Sequence, residues 1–419
     1  MAFALGAVAQ GGTNSPYSQY GLGTIADQST GASRAMNGLG IGLRDGKQVN
    51  FLNPASYSSI DSLTFIFDVA MSGQLTNFEE NGKKINAKNA SFEYAVGAFR
   101  LFKNVGVSFG IMPFSNVGYS YSSTNKVGDV NATSYTNTYT GTGGFRQLFF
   151  GMGWQLFKGF SIGANGSYIW GEYEKGIVNS YSDAYVNTLS KYYTVSVSSY
   201  KVDAGAQITI PFSKKSNLTM GFTYSLGNKL GADPECKVVS NNSQTSVADT
   251  ASYTVKNGLQ LPVVMSGGVM LNLNGKLKVG GDYQLQKWAD VGFPLYSVNN
   301  GTPTYTLAQN YKDRHKVTLG GEYCKNAMSG RFFDRIRFRA GASYATPYLL
   351  INGKDGPKEI SVSAGFGIPL VNVWNNRSVL NVSAQWVRND ASSMLRENTF
   401  RINLGITFNE RWFMKWKVD

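Results

Sequence analysis

Hydrophobic and polar residues alternate without interruption near the end of the chain, in the stretch TFRINLGITF at 399–408. The apolar row consists of Phe400, Ile402, Leu404, Ile406 and Phe408. The polar row between them includes Arg401. Successive side chains of a β-strand point to opposite faces, so this period of two predicts a strand with one apolar and one polar face.

Segments of this kind recur along most of the chain, and they predict fourteen strands. We place these at 63–76, 91–102, 105–121, 145–158, 160–175, 190–211, 217–228, 258–273, 276–290, 311–324, 332–349, 357–371, 377–390 and 397–408. A soluble β-sandwich would show the same period, so the alternation alone does not decide between a sandwich and a membrane barrel.

The connections between the segments separate these two folds. Connections from even to odd strands are short, at Lys103-Asn104, Gly159 and Asn274-Gly275, and at most about seven residues elsewhere. Most connections from odd to even strands are long and polar, at 77–90, 122–144, 176–189, 229–257 and 291–310. This asymmetry is typical of outer-membrane barrels. We therefore expect an all-β fold, a 14-stranded antiparallel transmembrane β-barrel over 63–408.

The barrel assignment predicts which way each row faces and where the chain ends lie. Hydrocarbon requires every backbone polar group to be paired and the outward row to be apolar, so the Phe400–Phe408 row should face lipid and Arg401 the interior. An even strand number places both termini in the periplasm of a Gram-negative cell. Aromatic residues near strand ends are expected to form interfacial girdles: Tyr344, Trp386, Trp288 and Trp154.

The two ends of the chain carry separate signals. Residues 1–9 resemble the end of a secretory signal peptide, with Ala7-Val8-Ala9 as an A-x-A cleavage pattern before Gln10. The aromatic residues of 409–419 either extend the last strand or lie along the periplasmic interface. No run of 18 apolar residues exists, which argues against a transmembrane helix.

Charge and chemistry-bearing residues exclude several functions. The net charge is +13, but Lys and Arg are scattered, so we expect no nucleic acid. The charge is either dispersed over the solvated surface or exposed to acidic outer-membrane lipid and lipopolysaccharide, which we expect as partners. One His and two Cys do not supply a typical metal site, and no cofactor motif is present. We expect His315 to pair with Asp313 at the rim rather than to act in catalysis, so no enzyme is predicted. Cys236 and Cys324 fall at opposite ends of the barrel and should be free thiols.

Residues 10–62 do not alternate and precede the first strand, so they are best placed inside the lumen as a plug, with an ordinary disordered leader as the alternative. Their sequence resembles the N-terminal hatch of the FadL-type long-chain fatty acid transporters and their aromatic-hydrocarbon relatives. The chain looks like a member of that family from the Bacteroidota. The matching elements are Gly21-Leu22-Gly23, the Gly/Ala-rich run around Arg34, Asp45, and Asn53-Pro54-Ala55.

Two further matches extend the resemblance to strands 3, 8 and 9. One is the pattern formed by Leu261-Pro262, Gly267 and Trp288, and the other is VGVSFGIMPFSNVGYSY, with Gly110 and Pro113 in mid-strand. Proline lacks a donor for the strand ladder, so Pro113 marks either an interruption of strand 3 or a simple bulge. The resemblance to FadL-type transporters implies that an apolar ligand leaves sideways into the bilayer through such an interruption. The hatch and gate residues would be Arg34, Asn53, Pro54, Ala55, Gly110 and Pro113.

The inward rows carry charges of both signs, which form a candidate luminal polar site. Its members are Asp282, Glu322, Arg337, Arg339 and Arg401, with Lys278 nearby. The arginines either bind a ligand carboxylate or pair with these acids and with hatch groups such as Asp45, because buried charges need partners.

Two functions follow from these features. The resemblance implies a transporter that takes up a small hydrophobic molecule and delivers it laterally to the membrane. The alternative is a non-transporting structural subunit of an outer-membrane protein assembly or secretion complex, whose partners would be other outer-membrane proteins. The long polar loops show no apolar ligand cleft in the sequence, which keeps the alternative open.

Overall fold

Fourteen antiparallel strands form a closed barrel in the computed structural model, which describes residues 12–80, 82–126, 134–183, 185–242, 244–351, 353–370, 378–391 and 394–411. The strands are β1 Thr64–Glu80, β2 Lys83–Phe102, β3 Val105–Lys126, β4 Ser134–Phe157, β5 Phe160–Tyr181, β6 Thr188–Ser213, β7 Ser216–Ser225, β8 Val264–Leu273, β9 Leu277–Gln286, β10 Arg314–Cys324, β11 Arg337–Ala345, β12 Lys358–Leu370, β13 Ser378–Asp390 and β14 Arg396–Arg411. Pairing of β1 with β14 closes the cylinder. The predicted fold class is confirmed.

The alternating rows face as the period of two requires. Phe400, Ile402, Leu404 and Phe408 are 41–47% exposed on the outside of β14. Arg401 points inward, where its guanidinium Nη2 donates to the Gln74 side chain at 3.0 Å. A sheet with one apolar outer face and one polar inner face matches an outer-membrane barrel.

Strands continue through much of what the sequence indicates as long loops. β4 has 24 residues and β6 has 26, whereas a tilted strand needs roughly 10 to cross a bilayer. Residues 77–80 and 83–90, which the sequence indicated as a loop, continue β1 and β2, and Glu80 pairs with Lys83. The alternation fades there because both faces meet water, while Thr, Tyr and Val still favour strand pairing.

Further hairpins fold from the remaining long connections. Glu235–Asn241 pairs with Ala248–Thr254 and also with the outer part of β6. Phe293–Asn299 pairs with Thr302–Ala308, and Leu350–Ile351 pairs with Lys354–Asp355. The barrel wall from β3 to β6 therefore continues as a tall sheet at this end, which we call the loop end.

Two expectations near strand ends are wrong. Trp288 is not in a girdle: β9 ends at Gln286, and a 3-10 turn at Trp288–Asp290 folds the indole inward, where it is 4% exposed. Strand 11 does not begin at 332, because a helical turn at Phe332–Arg335 precedes β11 and lengthens the β10–β11 connection to residues 325–336. Trp154, Tyr344 and Trp386 do face outward.

The chain ends are only partly described. The signal-like residues 1–9 lie outside the described residues. β14 runs to Arg411, and the aromatic residues of 412–419 also lie outside them. Among the helices of the described part, none combines the length and apolar character that crossing a membrane requires.

Candidate functional site

The N-terminal segment, residues 12–62, contacts inward-facing side chains around the barrel wall. On β9, the Asp282 carboxylate accepts hydrogen bonds from the backbone N–H groups of Gly40 at 2.7 Å and Ile41 at 2.9 Å. On β2, the Tyr94 hydroxyl accepts from the Gly31 N–H at 2.5 Å. These contacts come from strands far apart in the sequence, so inward-facing side chains of several strands hold the segment.

Asn53, Pro54 and Ala55 form a turn at the start of a 3-10 helix. Asn53 caps a 3-10 helix at Pro54–Ser59, and its Oδ1 accepts from the Ala55 N–H at 3.1 Å. Its Nδ2 donates to the Ile41 carbonyl at 2.9 Å and to the Ala206 carbonyl of β6 at 3.2 Å. Asn53 and Ala55 are completely buried. The turn is therefore fixed both to the segment and to the wall.

A row of glycines lets this turn pack closely against the wall. Gly106, Gly153, Gly163 and Gly205 are mutually in register across β3, β4, β5 and β6. A Cβ at these positions would lie 1.9 to 2.5 Å from atoms of residues 53–57. The sequence reasoning missed this row, although inward glycines on four consecutive strands are a readable signal of close backbone approach.

Arg34 is completely buried and holds the segment to β2. Its Nη1 lies 2.6 Å from the Glu93 carboxylate, and its Nε and Nη2 donate to the Ser29 and Asp27 carbonyls. The ion pair with Glu93 and the charge of Asp27 raise the pKa of Arg34 despite its burial. Glu93 is the extra residue of a bulge in the β1–β2 ladder. Arg34 therefore acts as a structural anchor in this geometry.

The wall opens between β2 and β3 close to this ion pair. Their pairing covers only Ala95–Phe102 with Val105–Ile111, and within the described residues nothing pairs the outer parts of the two strands to each other. Gly110 belongs to the paired part, and Pro113 lies two residues beyond its end. The β3–β4 ladder has a bulge between Pro113 and Ser115. We call this opening the β2–β3 gap.

The chain's own N-terminal segment occupies the β2–β3 gap. Thr24 and Ile25 pair as a short strand with Asn116 and Ser115, and the Ala26 N–H donates to the Phe114 carbonyl at 3.0 Å. On the other side, the Asn14 side chain donates to the Lys88 carbonyl of β2 at 3.3 Å. Backbone groups that the separated strands leave unpaired are thus partly satisfied from inside.

The predicted luminal charges fall into two places rather than one site. Glu322, Arg337 and Arg339 form one cluster with Lys278 and Asp45: Arg339 Nε donates to Glu322 at 2.7 Å, and Lys278 Nζ lies 2.8 Å from Asp45 and 3.1 Å from Glu322. Burial alone would raise the pKa of Asp45, but the charges of Lys278 and Arg337 hold it at about 2. This cluster fixes the N-terminal segment to β9, β10 and β11.

The other two members lie apart from the cluster. Asp282 binds the backbone of the N-terminal segment, and together with Arg401 it lines a cavity of about 410 Å³ between the segment and the wall. Charged groups on this lining also include Asp27, Glu93 and Lys316. The cavity extends to Phe114 and Asn116 at the β2–β3 gap. Its lining is thus ionic as well as apolar.

An apolar cluster lies at the loop end. Trp288 packs against Tyr311 and Tyr348, with ring centroids 5.7 Å and 5.1 Å away, and Tyr17 and Leu22 join from the N-terminal segment. Gly21 has φ +54°, and a Cβ there would lie 2.9 Å from the Tyr311 hydroxyl. The loops and the N-terminal segment therefore pack as one core at the mouth.

The remaining chemistry-bearing residues serve structure. His315 does not pair with Asp313 as expected: its Nδ1 lies 2.7 Å from the Tyr283 hydroxyl, whereas Asp313 binds Lys287 at 2.9 Å. Cys236 and Cys324 are buried free thiols, as predicted. In the described part of the chain, no group of three or more His, Cys, Asp or Glu side chains is arranged to hold a metal ion.

Comparison with solved structures places the barrel among outer-membrane hydrocarbon channels by fold. The CymD monoaromatic hydrocarbon channel matches with a TM-score of 0.62 and 15% identity, over 92% of this chain and 98% of that chain. The Ralstonia pickettii toluene transporter TbuX gives 0.60 and 16%, over 91% and 98%. A Pseudomonas aeruginosa FadL homologue gives 0.60 and 13%, over 92% and 99%. The expected FadL-type likeness is thus confirmed for the fold.

Sequence comparison identifies the family. The BamG family matches residues 1–419, so the chain belongs to the BamG family. The match is not specific to FadL-type transporters. No curated protein matches the sequence.

Proposed function

We propose that this protein is a non-transporting subunit of an outer-membrane protein assembly or secretion complex. The observation that carries the proposal is the ionic anchoring of the N-terminal segment across the lumen. Arg34 binds Glu93, Asp45 binds Lys278, and Asp282 binds the backbone at residues 40–41. Moving the N-terminal segment to open a path through the barrel would leave several buried charges without partners. Each such loss costs about 3–5 kcal/mol.

The luminal cavity also suits an apolar cargo poorly. Its lining includes Asp27, Glu93, Lys316 and Arg401, whose charged groups lose hydration when hydrocarbon replaces water beside them. An apolar molecule offers these groups no hydrogen bond. The apolar surface that is available lies in the Trp288–Tyr311 cluster, which is already packed at the loop end. Docking is therefore better supported than passage.

The tall wall at the loop end offers a surface for a partner. β4 and β6 are more than twice as long as a membrane crossing requires, and the hairpin at 235–254 widens their sheet. Side chains exposed there include Ile85, Tyr185 and Val247, each at least 65% exposed. Membership of the BamG family, beside a fold-only likeness to channels at 13–16% identity, also supports a role other than hydrocarbon transport.

Purification from native membranes in a mild detergent tests the proposal. We expect an affinity-tagged full chain to retain other outer-membrane proteins in fixed stoichiometry, as measured by quantitative mass spectrometry. A matched porin with the same tag, purified from the same membranes, controls for nonspecific retention. A monomer that carries an apolar small molecule and no protein would contradict the proposal.

The β2–β3 gap favours a second candidate function, lateral uptake of a small hydrophobic molecule. Pro113 lies at the end of the β2–β3 pairing, and the cavity extends to Phe114 beside it. On this reading Pro113→Val, which restores a backbone donor, would reduce cellular uptake of labelled toluene. Pro369→Val in β12, away from the gap, is the matched control. Equal uptake by wild type, both variants and cells lacking the protein would remove this candidate.

A further inference from the structure

Short turns at one end of the barrel share a chemical feature. The five described connections at this end, which we call the turn end, are Lys103–Asn104, Lys158–Gly159, Lys214–Lys215, Asn274–Lys276 and Lys325–Ile336. Every one of them contains at least one exposed lysine. Asp334 is the one acidic residue in these five turns. The turn end therefore carries a ring of positive charge.

Most lysines of this ring have no acidic partner. Asp334 binds Lys325 at 2.9 Å, but Lys103, Lys158, Lys214, Lys215 and Lys276 have no ion pair with any described carboxylate. At the loop end, several basic side chains are paired with neighbouring acids, as in Lys287–Asp313, Lys312–Asp355 and Arg388–Asp390. The turn end thus presents a set of ammonium groups that no described carboxylate neutralises.

A band of exposed apolar side chains lies directly beside the ring. Phe102 and Phe157 immediately precede two of the turns and are 67% and 64% exposed. Phe212 precedes a third, and Phe333 belongs to the 325–336 turn with 78% exposed. Aromatic side chains favour the boundary between hydrocarbon and headgroups, and lysines extend from it toward phosphate. The two features together define a membrane interface.

We propose that the turn end binds anionic phospholipid headgroups through Lys103, Lys158, Lys214, Lys215 and Lys276. The short turns of outer-membrane barrels face the periplasm. The leaflet on that side presents phospholipid, so phosphodiester groups rather than lipopolysaccharide meet the ring. The aromatic side chains of the band lie against the acyl chains, and the ammonium groups contact the phosphates. The surface would fix the depth and tilt of the barrel within the bilayer.

Lipid retention by the purified full chain tests the proposal. Protein in mixed micelles with equal phosphatidylglycerol and phosphatidylcholine is exchanged into neutral detergent, and retained lipid is counted by mass spectrometry. We expect phosphatidylglycerol to be preferred roughly tenfold or more, given the attraction expected for several lysines near an anionic surface. The preference should fall as salt rises, because ions screen exposed charges.

Two five-lysine variants locate the effect. K103Q/K158Q/K214Q/K215Q/K276Q should lose the preference, whereas K229Q/K237Q/K256Q/K354Q/K358Q at the loop end should keep it. A gel-mobility shift on heating verifies that each barrel is folded. Equal loss in both variants, or equal retention of the two lipids by wild type, would refute the proposal. Stronger capture of lipid A or of an acidic peptide by the same lysines would also refute it.

Discussion

Arg34 and Glu93 form a buried ion pair of 2.6 Å beside the point where β2 and β3 part. The Arg34 side chain is completely buried and that of Glu93 is 7% exposed. The pair joins the N-terminal segment to the barrel wall next to the only edge that the segment itself pairs with in the described structure, at Thr24–Ile25. The Arg34–Glu93 pair thus anchors the N-terminal segment to the wall at the edge of the β2–β3 gap.

Breaking this pair should be strongly destabilising. Arg34→Ala leaves the Glu93 carboxylate buried without its cation, and we expect a loss of about 3–5 kcal/mol in the free energy of unfolding. Urea denaturation in detergent, followed by tryptophan fluorescence, measures the loss. Because an apolar pair needs no compensating charge, Arg34→Met with Glu93→Leu should recover much of it.

An exposed ion pair provides the control for that experiment. Lys312 and Asp355 are 54% and 56% exposed, so Lys312→Ala should change stability by about 1 kcal/mol or less. If Arg34→Ala were as mild as Lys312→Ala, the pair with Glu93 would not anchor the segment.

The glycine row predicts a steric effect at one strand position and none at another. In Gly163→Ala the new methyl group would lie 2.5 Å from the Pro54 carbonyl carbon, which forces the Asn53-Pro54-Ala55 turn away from the wall. We expect faster protease cleavage within residues 45–62, measured by mass spectrometry of the fragments. Gly166→Ala in the same strand meets no atom within 4 Å and should cleave as wild type does. Identical cleavage of the two variants would show that the row is not a contact surface.

Asp45 should give the N-terminal segment a pH-dependent contribution. Its pKa, held at about 2 by Lys278 and Arg337 against the effect of burial, is below its ordinary value of 3.8. A depressed carboxyl pKa stabilises the fold above the ordinary pKa, and this contribution disappears as pH falls from about 4 to about 2. Asp45→Asn should therefore cost about 2 kcal/mol at pH 7 and almost nothing near pH 2, by urea denaturation at each pH. A cost that stays the same at both pH values would contradict this assignment.

An engineered disulfide between the N-terminal segment and the wall distinguishes the two candidate functions. A Cβ at Gly31 would lie 3.6 Å from the Gly405 Cα, and one at Gly405 would lie 3.5 Å from the Gly31 Cα, which is within reach of a disulfide. In the variant Gly31→Cys with Gly405→Cys, oxidation ties the N-terminal segment to β14. We expect partner proteins to co-purify equally before and after reduction, because a docking barrel does not need the segment to move. Toluene uptake that appears only after reduction would instead support transport.

Patterns read from the sequence give most of the fold and less of the site. The alternation at 399–408 predicted the exposed Phe400 and buried-side Arg401 because a strand has a fixed period of two. For Trp288 the position near a strand end predicted a girdle, but the residue shares the inward parity of Asp282 and Gln284 and lies in a 3-10 turn after Gln286 with its indole buried. The long hairpins were missed because strands outside a bilayer lose the apolar face that marks them. An inward glycine can be read in each of the four strands, but that the four form one row required the register between strands, which a single strand does not contain.

The sequence by itself determined a closed barrel with an apolar exterior, because period two and the turn asymmetry are local properties of the chain. It also indicated that residues 10–62 are not part of the wall. Only the tertiary structure decided that Arg34 meets Glu93, that Asp45 meets Lys278, and that Thr24–Ile25 pairs beside Pro113. These contacts join residues far apart in the chain, and the curvature and register of the whole sheet decide which of them come within bonding distance.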